Sequence, residues 1–165
     1  MSDWNLASKR NSLDVARLSK LLKVYDYSTK RSKETDEAFR NYATNLLTKL
    51  KNDLTGIMEI AYREKDDIKQ NIKRLRDDVD VAMGDIKITD FWKFPESADS
   101  LDKIIKSDLR IISNAEGSKN LASTLYSQLL NSQAVEVERK LQEIKKMVND
   151  LRVANIDRRE LIKAR

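Results

Sequence analysis

The residue types that carry most enzyme chemistry are scarce in this chain. It contains no cysteine and no histidine, so it lacks thiolate ligands and the commonest general base and metal ligand. Its three glycines are too few for a phosphate-binding loop, and no nucleophile motif of the Gly-x-Ser-x-Gly kind is present. We therefore expect a protein that is not an enzyme and that takes no cofactor.

Two groups of carboxylates come closest to a metal-binding pattern. They are Glu64, Asp66 and Asp67, and Asp77, Asp78 and Asp80. Neighbouring residues on a helix point in different directions, and neither group has the spacing of a calcium loop or of a Glu-x-x-His pair. Lysine or arginine lies beside both groups in the sequence, which favours a solvated helix face. The sequence predicts no metal site.

Basic residues concentrate toward the two ends of the chain. Residues 1–33 contain eight Lys or Arg against three Asp or Glu, and residues 139–165 contain nine against four. The intervening residues 34–138 contain fifteen against twenty. A basic region can attract anionic lipid, nucleic acid or an acidic protein. Because these basic residues alternate with acids, we favour the interpretation that they solvate helix flanks.

Aromatic and basic side chains near the ends and the centre are the candidate contacts with a partner or a membrane. A leading Trp with mixed apolar and basic residues is typical of an interfacial membrane helix, and a central aromatic segment could anchor in a groove. For both segments we favour packing inside the fold, because the same residues fit a helical core. The candidates are Trp4, Lys9, Arg10, Arg17, Lys20, Lys23, Phe91, Trp92, Phe94, Arg158, Arg159, Lys163 and Arg165.

Heptad spacing of apolar residues predicts the elements that must position these side chains. One row runs Leu54, Ala61, Ile68, Leu75 and Ala82, and a second runs Met58, Lys65, Ile72, Val79 and Ile86. A further seam, with spacings that alternate between four and three, extends from Leu130 to Ile162. Such seams are typical of coiled-coil-like helices.

Four polar residues interrupt the predicted seams. In coiled coils a polar seam residue fixes register and oligomer state at a cost in stability. We therefore predict that these residues determine pairing specificity, with the alternative that they mark places where the seam is open to water. They are Lys65, Asp108, Asn155 and Arg158.

Breaks in the periodicity divide the chain, which we expect to form a single helical domain over residues 1–165. Residues 12–86 form one long helix or two helices with a break near 28–34, after which Thr35 resembles a helix N-cap. Residues 87–96 form an aromatic turn, and Ser97 and Asp99 are alternative caps of the next helix. Residues 97–165 form a second long helix with a kink or break near 114–118, beside Gly117.

The predicted fold is therefore all-α: a long helical hairpin or coiled-coil-like bundle, with the aromatic turn at one end and both termini at the other. Two helices leave each seam partly uncovered, so we expect a homodimer or another homo-oligomer to complete the bundle. No apolar run is long enough to span a bilayer and no signal peptide is recognisable, from which we expect a cytoplasmic protein.

The leading functional hypothesis is a non-catalytic scaffold or adaptor that binds other proteins through coiled-coil surfaces. The alternative is a peripheral membrane protein of the membrane-shaping type, whose basic terminal pole meets anionic lipid. Association with nucleic acid is the third hypothesis, although no recognised nucleic-acid-binding motif is present.

Overall fold

The computed structural model describes residues 14–27, 31–61, 66–88, 93–133 and 135–162. Within these ranges the chain is helical, with no strand, and the all-α prediction is confirmed for them. A short helix, α1, includes residues 14–21. Four long helices follow, and they are α2 (Ser32–Ala61), α3 (Asp66–Lys87), α4 (Ala98–Leu130) and α5 (Val137–Ile162).

The four long helices pack as a bundle in which α2 contacts α3 and α4, and α5 contacts the same two helices. Consecutive long helices run antiparallel to each other, whereas α2 and α4 run parallel. It follows that α3 and α5 also run parallel. The contacts that fix these directions are Thr48–Met83, Lys51–Asp80, Tyr42–Glu116, Gly56–Tyr126, Gly117–Met147 and Gln128–Lys140.

Most described residues of the predicted seams are buried inside one chain. Ile72 and Val79 of α3 and Ile144 of α5 are fully buried, and they belong to a continuous hydrophobic core that all the long helices share. Burial of such side chains is the main favourable contribution to folding. Because the chain covers its own seams, an uncovered seam no longer gives a reason for a dimer.

Of the kink or break expected near 114–118, the structure contradicts the break, because α4 is continuous through these residues. Gly117 is present for packing: a Cβ atom there would lie 3.0 Å from the sulfur of Met147, so the glycine lets α5 approach α4 closely. The glycine that suggested a helix break therefore serves a helix–helix contact. The chain reverses after α4, beyond Leu130.

Backbone hydrogen bonds end α4 at that reversal. The amide of Ser132 donates to the carbonyl of Leu129, and the amide of Gln133 donates to that of Gln128 at 3.0 Å. Ser132 has φ 54°, so this is the left-handed helix ending that glycine usually supplies. A serine in this position gave the sequence no recognisable stop signal.

A second reversal separates α2 from α3, inside the seam that the heptads predict to be one helix. Ala61 and Ile68 are both buried, and their spacing of seven spans the reversal. Lys65, the polar residue of that seam, falls between the two helices and lies outside the described residues. Heptad spacing alone does not distinguish one long helix from two that bury similar stripes.

These extra reversals bring the aromatic turn to the same end of the bundle as the described parts nearest the termini, and not to the opposite end. Phe94 stacks on Tyr27, with ring centroids 5.6 Å apart. The turn ends at Ser97, whose hydroxyl caps α4 by accepting a hydrogen bond from the Ser100 amide at 3.2 Å. Ser97 is therefore the cap, of the two that the sequence offers.

Candidate interaction sites

Charged and phenolic side chains form a buried polar cluster at this end of the bundle, which we define as Tyr25, Tyr27, Asp36, Asp108 and Arg158. Asp108 is 0% exposed, and Asp36 and Arg158 are each 4% exposed. Three helices contribute, because Asp36 lies on α2, Asp108 on α4 and Arg158 on α5. Charges are rarely buried this deeply unless they are paired.

Asp108 accepts hydrogen bonds on both carboxylate oxygens. The hydroxyls of Tyr27 and Tyr25 donate to Oδ2 at 2.6 and 3.0 Å. The Nε of Arg158 donates to Oδ1 at 2.5 Å. This one carboxylate therefore holds the irregular segment 22–27 and α5 against α4.

Arg158 connects the two buried carboxylates. Its Nη2 donates to Asp36 Oδ1 at 2.5 Å and to the Tyr27 hydroxyl at 2.9 Å. The guanidinium lies 4.3 Å from the centroid of the Phe39 ring, close enough for a cation–π contact. Arg40 completes the arrangement by donating to Asp36 Oδ2 at 2.8 Å. Two arginines thus balance two aspartates, and each carboxylate oxygen has a donor.

The environment fixes the protonation of the donors in this cluster. Burial, together with the charge of Asp108, raises the pKa of Tyr25 and Tyr27 well above the ordinary value. Burial lowers the pKa of Arg158, but Asp108, Tyr27 and Asp36 outweigh it and raise the pKa well above its usual range. Burial also raises the pKa of Asp108, and Arg158 and Tyr27 oppose that rise. The tyrosines are neutral donors and Arg158 is a cation.

The irregular segment 22–27 gives the tyrosines their common direction. Residues two apart point to opposite sides of a helix, and this segment is not helical. Tyr25 and Tyr27 can therefore both reach Asp108. Thr35 fixes the segment, since its hydroxyl accepts from the Asp26 amide at 2.9 Å and donates to the Asp26 carbonyl at 3.2 Å.

Thr35 is therefore not the N-cap that the sequence suggests. Helix α2 begins at Ser32, and the Thr35 amide donates to the Arg31 carbonyl as in a regular helix. Asp36, next to Thr35, points into the cluster and does not face solvent. Spacing could have drawn attention to Tyr25 and Tyr27, but no sequence signal distinguishes Asp36 from other acids of a first helical turn.

A second site lies on the outside of the bundle, where α3 and α5 are neighbours. We define the α3–α5 face as Val81, Gly84, Ile88, Val153 and Ile156. Its four large side chains are between 38% and 59% exposed. Within the described residues, five large hydrophobic side chains are exposed, and the fifth is Leu130 at the end of α4. Exposed apolar side chains that group on one surface mark interaction sites more often than scattered ones do.

Contacts between the parallel helices place these residues at one level of the bundle. The two helices share a cleft of about 180 Å³, which is lined by Asn71, Arg74, Leu75 and Asp78 of α3 and by Glu138, Leu141, Gln142 and Lys145 of α5. Nearer the aromatic turn, an Arg152 nitrogen lies 3.8 Å from an Asp78 carboxylate oxygen. Arginine side chains lean toward the N-terminus of their own helix, so the Arg152 backbone lies beyond Asp78. Extending the register of this cleft along the two parallel helices brings Val153 and Ile156 close to the levels of Gly84 and Ile88.

Gly84 differs from the other glycines of the chain. A Cβ atom at Gly56 would lie 2.7 Å from the Tyr126 ring, so that glycine, like Gly117, allows two helices to approach. A Cβ atom at Gly84 would have no described atom within 4 Å. Glycine within a helix costs about 1 kcal/mol relative to alanine, and no contact inside the described part of this chain explains that cost at Gly84.

The predicted contact residues fall into different parts of the structure. Arg17, Lys20 and Lys23 are exposed, while Leu18 and Leu22 beside them are buried at 0% and 3%. The apolar side of α1 therefore packs into the fold. The candidates that lie outside the described residues are Trp4, Lys9, Arg10, Phe91, Trp92, Lys163 and Arg165.

Arg158 is a correction to the sequence-based assignment. It was a candidate surface contact, but its burial and its bonds to both aspartates leave it unable to meet a partner in this structure. Arg159, next to it, is half-buried, and Phe94 is half-buried against Tyr27. The sequence singled out Asp108 and Arg158 separately as polar seam residues, and the structure brings them into contact. Asn155 is 3% exposed on α5, one turn before Arg158.

In the part of the chain that the structure describes, no helix combines the length and apolarity needed to cross a bilayer. The described carboxylates also form no group of three that could hold a metal ion. Comparisons with protein-family models, curated proteins and solved structures found no match to this chain.

Proposed function

We propose that this protein is a non-catalytic helical scaffold or adaptor that binds another protein chain through the α3–α5 face. The observation that carries the proposal is the grouping of exposed apolar residues there, around a glycine that no contact in the described bundle explains. Covering one such side chain contributes up to about 1.5–3 kcal/mol, so a partner that covered several would gain appreciable affinity.

The class of function is the one that the sequence suggests, but the binding surface is the α3–α5 face and not the apolar seams. The sequence-based hypothesis used the apolar seams themselves, with their polar residues as determinants of partner choice. Most of those seam residues are buried within one chain, and Arg158 donates a hydrogen bond to Asp108. The outer side of the bundle is the remaining surface on which apolar residues are grouped in the described structure.

Site-specific photo-crosslinking in the cells that make the protein tests the proposal. A photoreactive residue at position 156 is expected to yield an adduct with a protein chain. The same residue at position 130 is the control, because Leu130 is 58% exposed but lies away from the face. Absence of any protein adduct at 156, or equal adducts at both positions, would contradict the proposal.

Membrane binding stays a prediction from the basic residues of the chain ends. In this structure the apolar side of α1 is buried, so insertion of that side into lipid would require α1 to leave the bundle. Co-sedimentation with anionic vesicles tests it, with a variant in which Arg17, Lys20 and Lys23 become glutamine as the comparison. Association with nucleic acid likewise stays a prediction, and the described geometry adds nothing in its favour.

A further inference from the structure

We infer that the partner of the α3–α5 face is a second copy of this chain, in a dimer whose two-fold axis runs parallel to the helices. The inference rests on the proposed function and adds the identity and orientation of the partner. It stands on two observations, which are the common level of the apolar residues on α3 and α5 and the charges that flank them.

A two-fold axis parallel to the helices keeps every residue at its own level and exchanges α3 and α5 across the interface. The symmetric contact is then α3 of one copy against α5 of the other, made twice. Such a contact needs apolar residues at the same level on both helices. Gly84 near the level of Val153, and Ile88 near the level of Ile156, meet this requirement within each copy.

Charges beside the apolar residues fit the same arrangement. On α3, Asp77 is exposed two turns before Gly84. On α5, Lys145 and Lys146 are exposed, and Lys145 lines the same cleft as Asp78, next to Asp77. Neither lysine has a partner among the described ion pairs. The parallel axis places Asp77 opposite these lysines of the second copy, twice in the dimer. An axis perpendicular to the helices would instead place α3 on α3 and α5 on α5, and would separate these opposite charges.

Gly84 supplies the space that this contact needs. A helix that faces another helix at glycine can approach more closely than one that carries a side chain there. Gly84 is exposed, and no described residue fills the space beside it. In the inferred dimer, Val153 of the second copy packs over Gly84.

Sedimentation equilibrium of the purified protein tests the second copy as partner. We expect a species of twice 19.1 kDa that dissociates on dilution. Ile156→Glu should weaken the dimer at least about 100-fold, since symmetry places the substitution twice in the interface. Leu130→Glu is the matched control and should dimerise normally. A wild-type chain that stays monomeric up to near-millimolar concentration would overturn the inference, as would equal dimerisation of both variants, provided that circular dichroism shows both folded.

Introduced cysteines test the orientation, and the absence of native cysteine makes the result unambiguous. Val81→Cys and Val153→Cys proteins are mixed, one of them carrying a size tag, and oxidised. The parallel axis predicts the mixed disulfide well above either self-disulfide. Predominant Val153→Cys self-disulfide would indicate the perpendicular axis and contradict the inferred orientation.

The two proposals can fail separately. A monomeric purified chain together with a cellular adduct between position 156 and a different protein would overturn the dimer and keep the scaffold function. Absence of both the dimer and any adduct would overturn both proposals.

Discussion

The buried polar cluster and the α3–α5 face reverse the usual placement of polar and apolar residues. The cluster places two aspartates and an arginine inside the bundle, and the face leaves Val81, Val153 and other apolar side chains in solvent. If hydrophobicity alone decided where residues lie, the charged residues would face solvent and the apolar residues would be buried. Each region therefore serves something other than maximal burial: the cluster fixes how the helices of one chain align, and the face is where we propose that another chain binds.

The two regions also differ in how completely their side chains are paired or covered within the chain. Every carboxylate oxygen of Asp36 and Asp108 accepts a hydrogen bond from a described donor. A buried ion pair of this kind contributes little net stability but strongly penalises an alternative packing that would break it. The face, in contrast, has neither apolar cover over its side chains nor a neighbour at Gly84 within the described structure. The chain satisfies the first region by itself, and we propose that a partner covers the second.

Replacing Arg158 should produce the largest effect. Arg158→Ala leaves Asp36 and Asp108 buried without their central cation, so we expect the free energy of unfolding to fall by about 3–5 kcal/mol. Arg152→Ala, on the same helix, removes a partly exposed pair with Asp78 and should cost about 1 kcal/mol or less. Urea denaturation of both variants measures the difference. Equal losses would show that the cluster is no more than a surface ion pair in its energetic effect.

A second comparison uses two isoleucines of α5. Ile144 is fully buried and Ile156 is 59% exposed. Ile144→Ala should lower the free energy of unfolding by about 2–5 kcal/mol because it opens a cavity in the core. Ile156→Ala should change it by about 0.5 kcal/mol or less in a chain diluted to the monomer. A large loss for the diluted Ile156→Ala monomer would mean that the face is stabilised within the chain, which would weaken the case for a partner.

The tyrosines give the cluster a pH signature. Tyr27→Phe removes a donor to a buried carboxylate and should cost about 1.5–3 kcal/mol near neutral pH. Because the pKa of Tyr27 is raised in the folded state above the unfolded value of 10.0, its contribution is complete below pH 10 and is lost as pH rises through the folded pKa. Wild-type stability should therefore decline above pH 10, by up to about 1.4 kcal/mol per pH unit for each such tyrosine.

Denaturant titrations at pH 8, 10 and 11, pH values chosen to bracket the ordinary tyrosine pKa of about 10, measure this decline. Tyr27→Phe should reduce it, and Tyr25→Phe should reduce it in the same way, since burial raises the pKa of both groups. An alkaline decline that is identical in the wild type and in both variants would show that other groups cause it.

Replacing a glycine by alanine should have the smallest effect on stability, and its sign should differ between Gly84 and Gly56. Gly84→Ala should raise the stability of the diluted monomer by about 0.5–1 kcal/mol, because alanine favours the helix and the added Cβ meets open space. Gly56→Ala should lower stability by about 1 kcal/mol, since the Tyr126 ring must move. Thermal unfolding of both variants at low protein concentration checks the opposite signs. A destabilising Gly84→Ala would reveal a contact inside the chain and remove one support for the partner surface.

The sequence by itself determined the secondary-structure class and most of the buried positions. Scarce glycine and proline with heptad spacing predict helices, and seam residues such as Leu54, Ile72 and Val148 are buried as that spacing predicts. It also singled out Asp108 and Arg158 as polar residues in apolar rows. These properties follow from local spacing, which reports the side of a helix that is buried.

Only the tertiary structure decided which helix covers each buried side. The repeat that joins Ala61 to Ile68 is the same for one helix as for two antiparallel helices, and Ser132 ends α4 in a conformation that sequence rules assign to glycine. The additional reversals pair Asp108 with Arg158, bring Tyr25 and Tyr27 to them, and set α3 beside α5. Burial depends on spacing along one helix, whereas pairing depends on the chain path between helices, and the sequence pattern carries little information about that path.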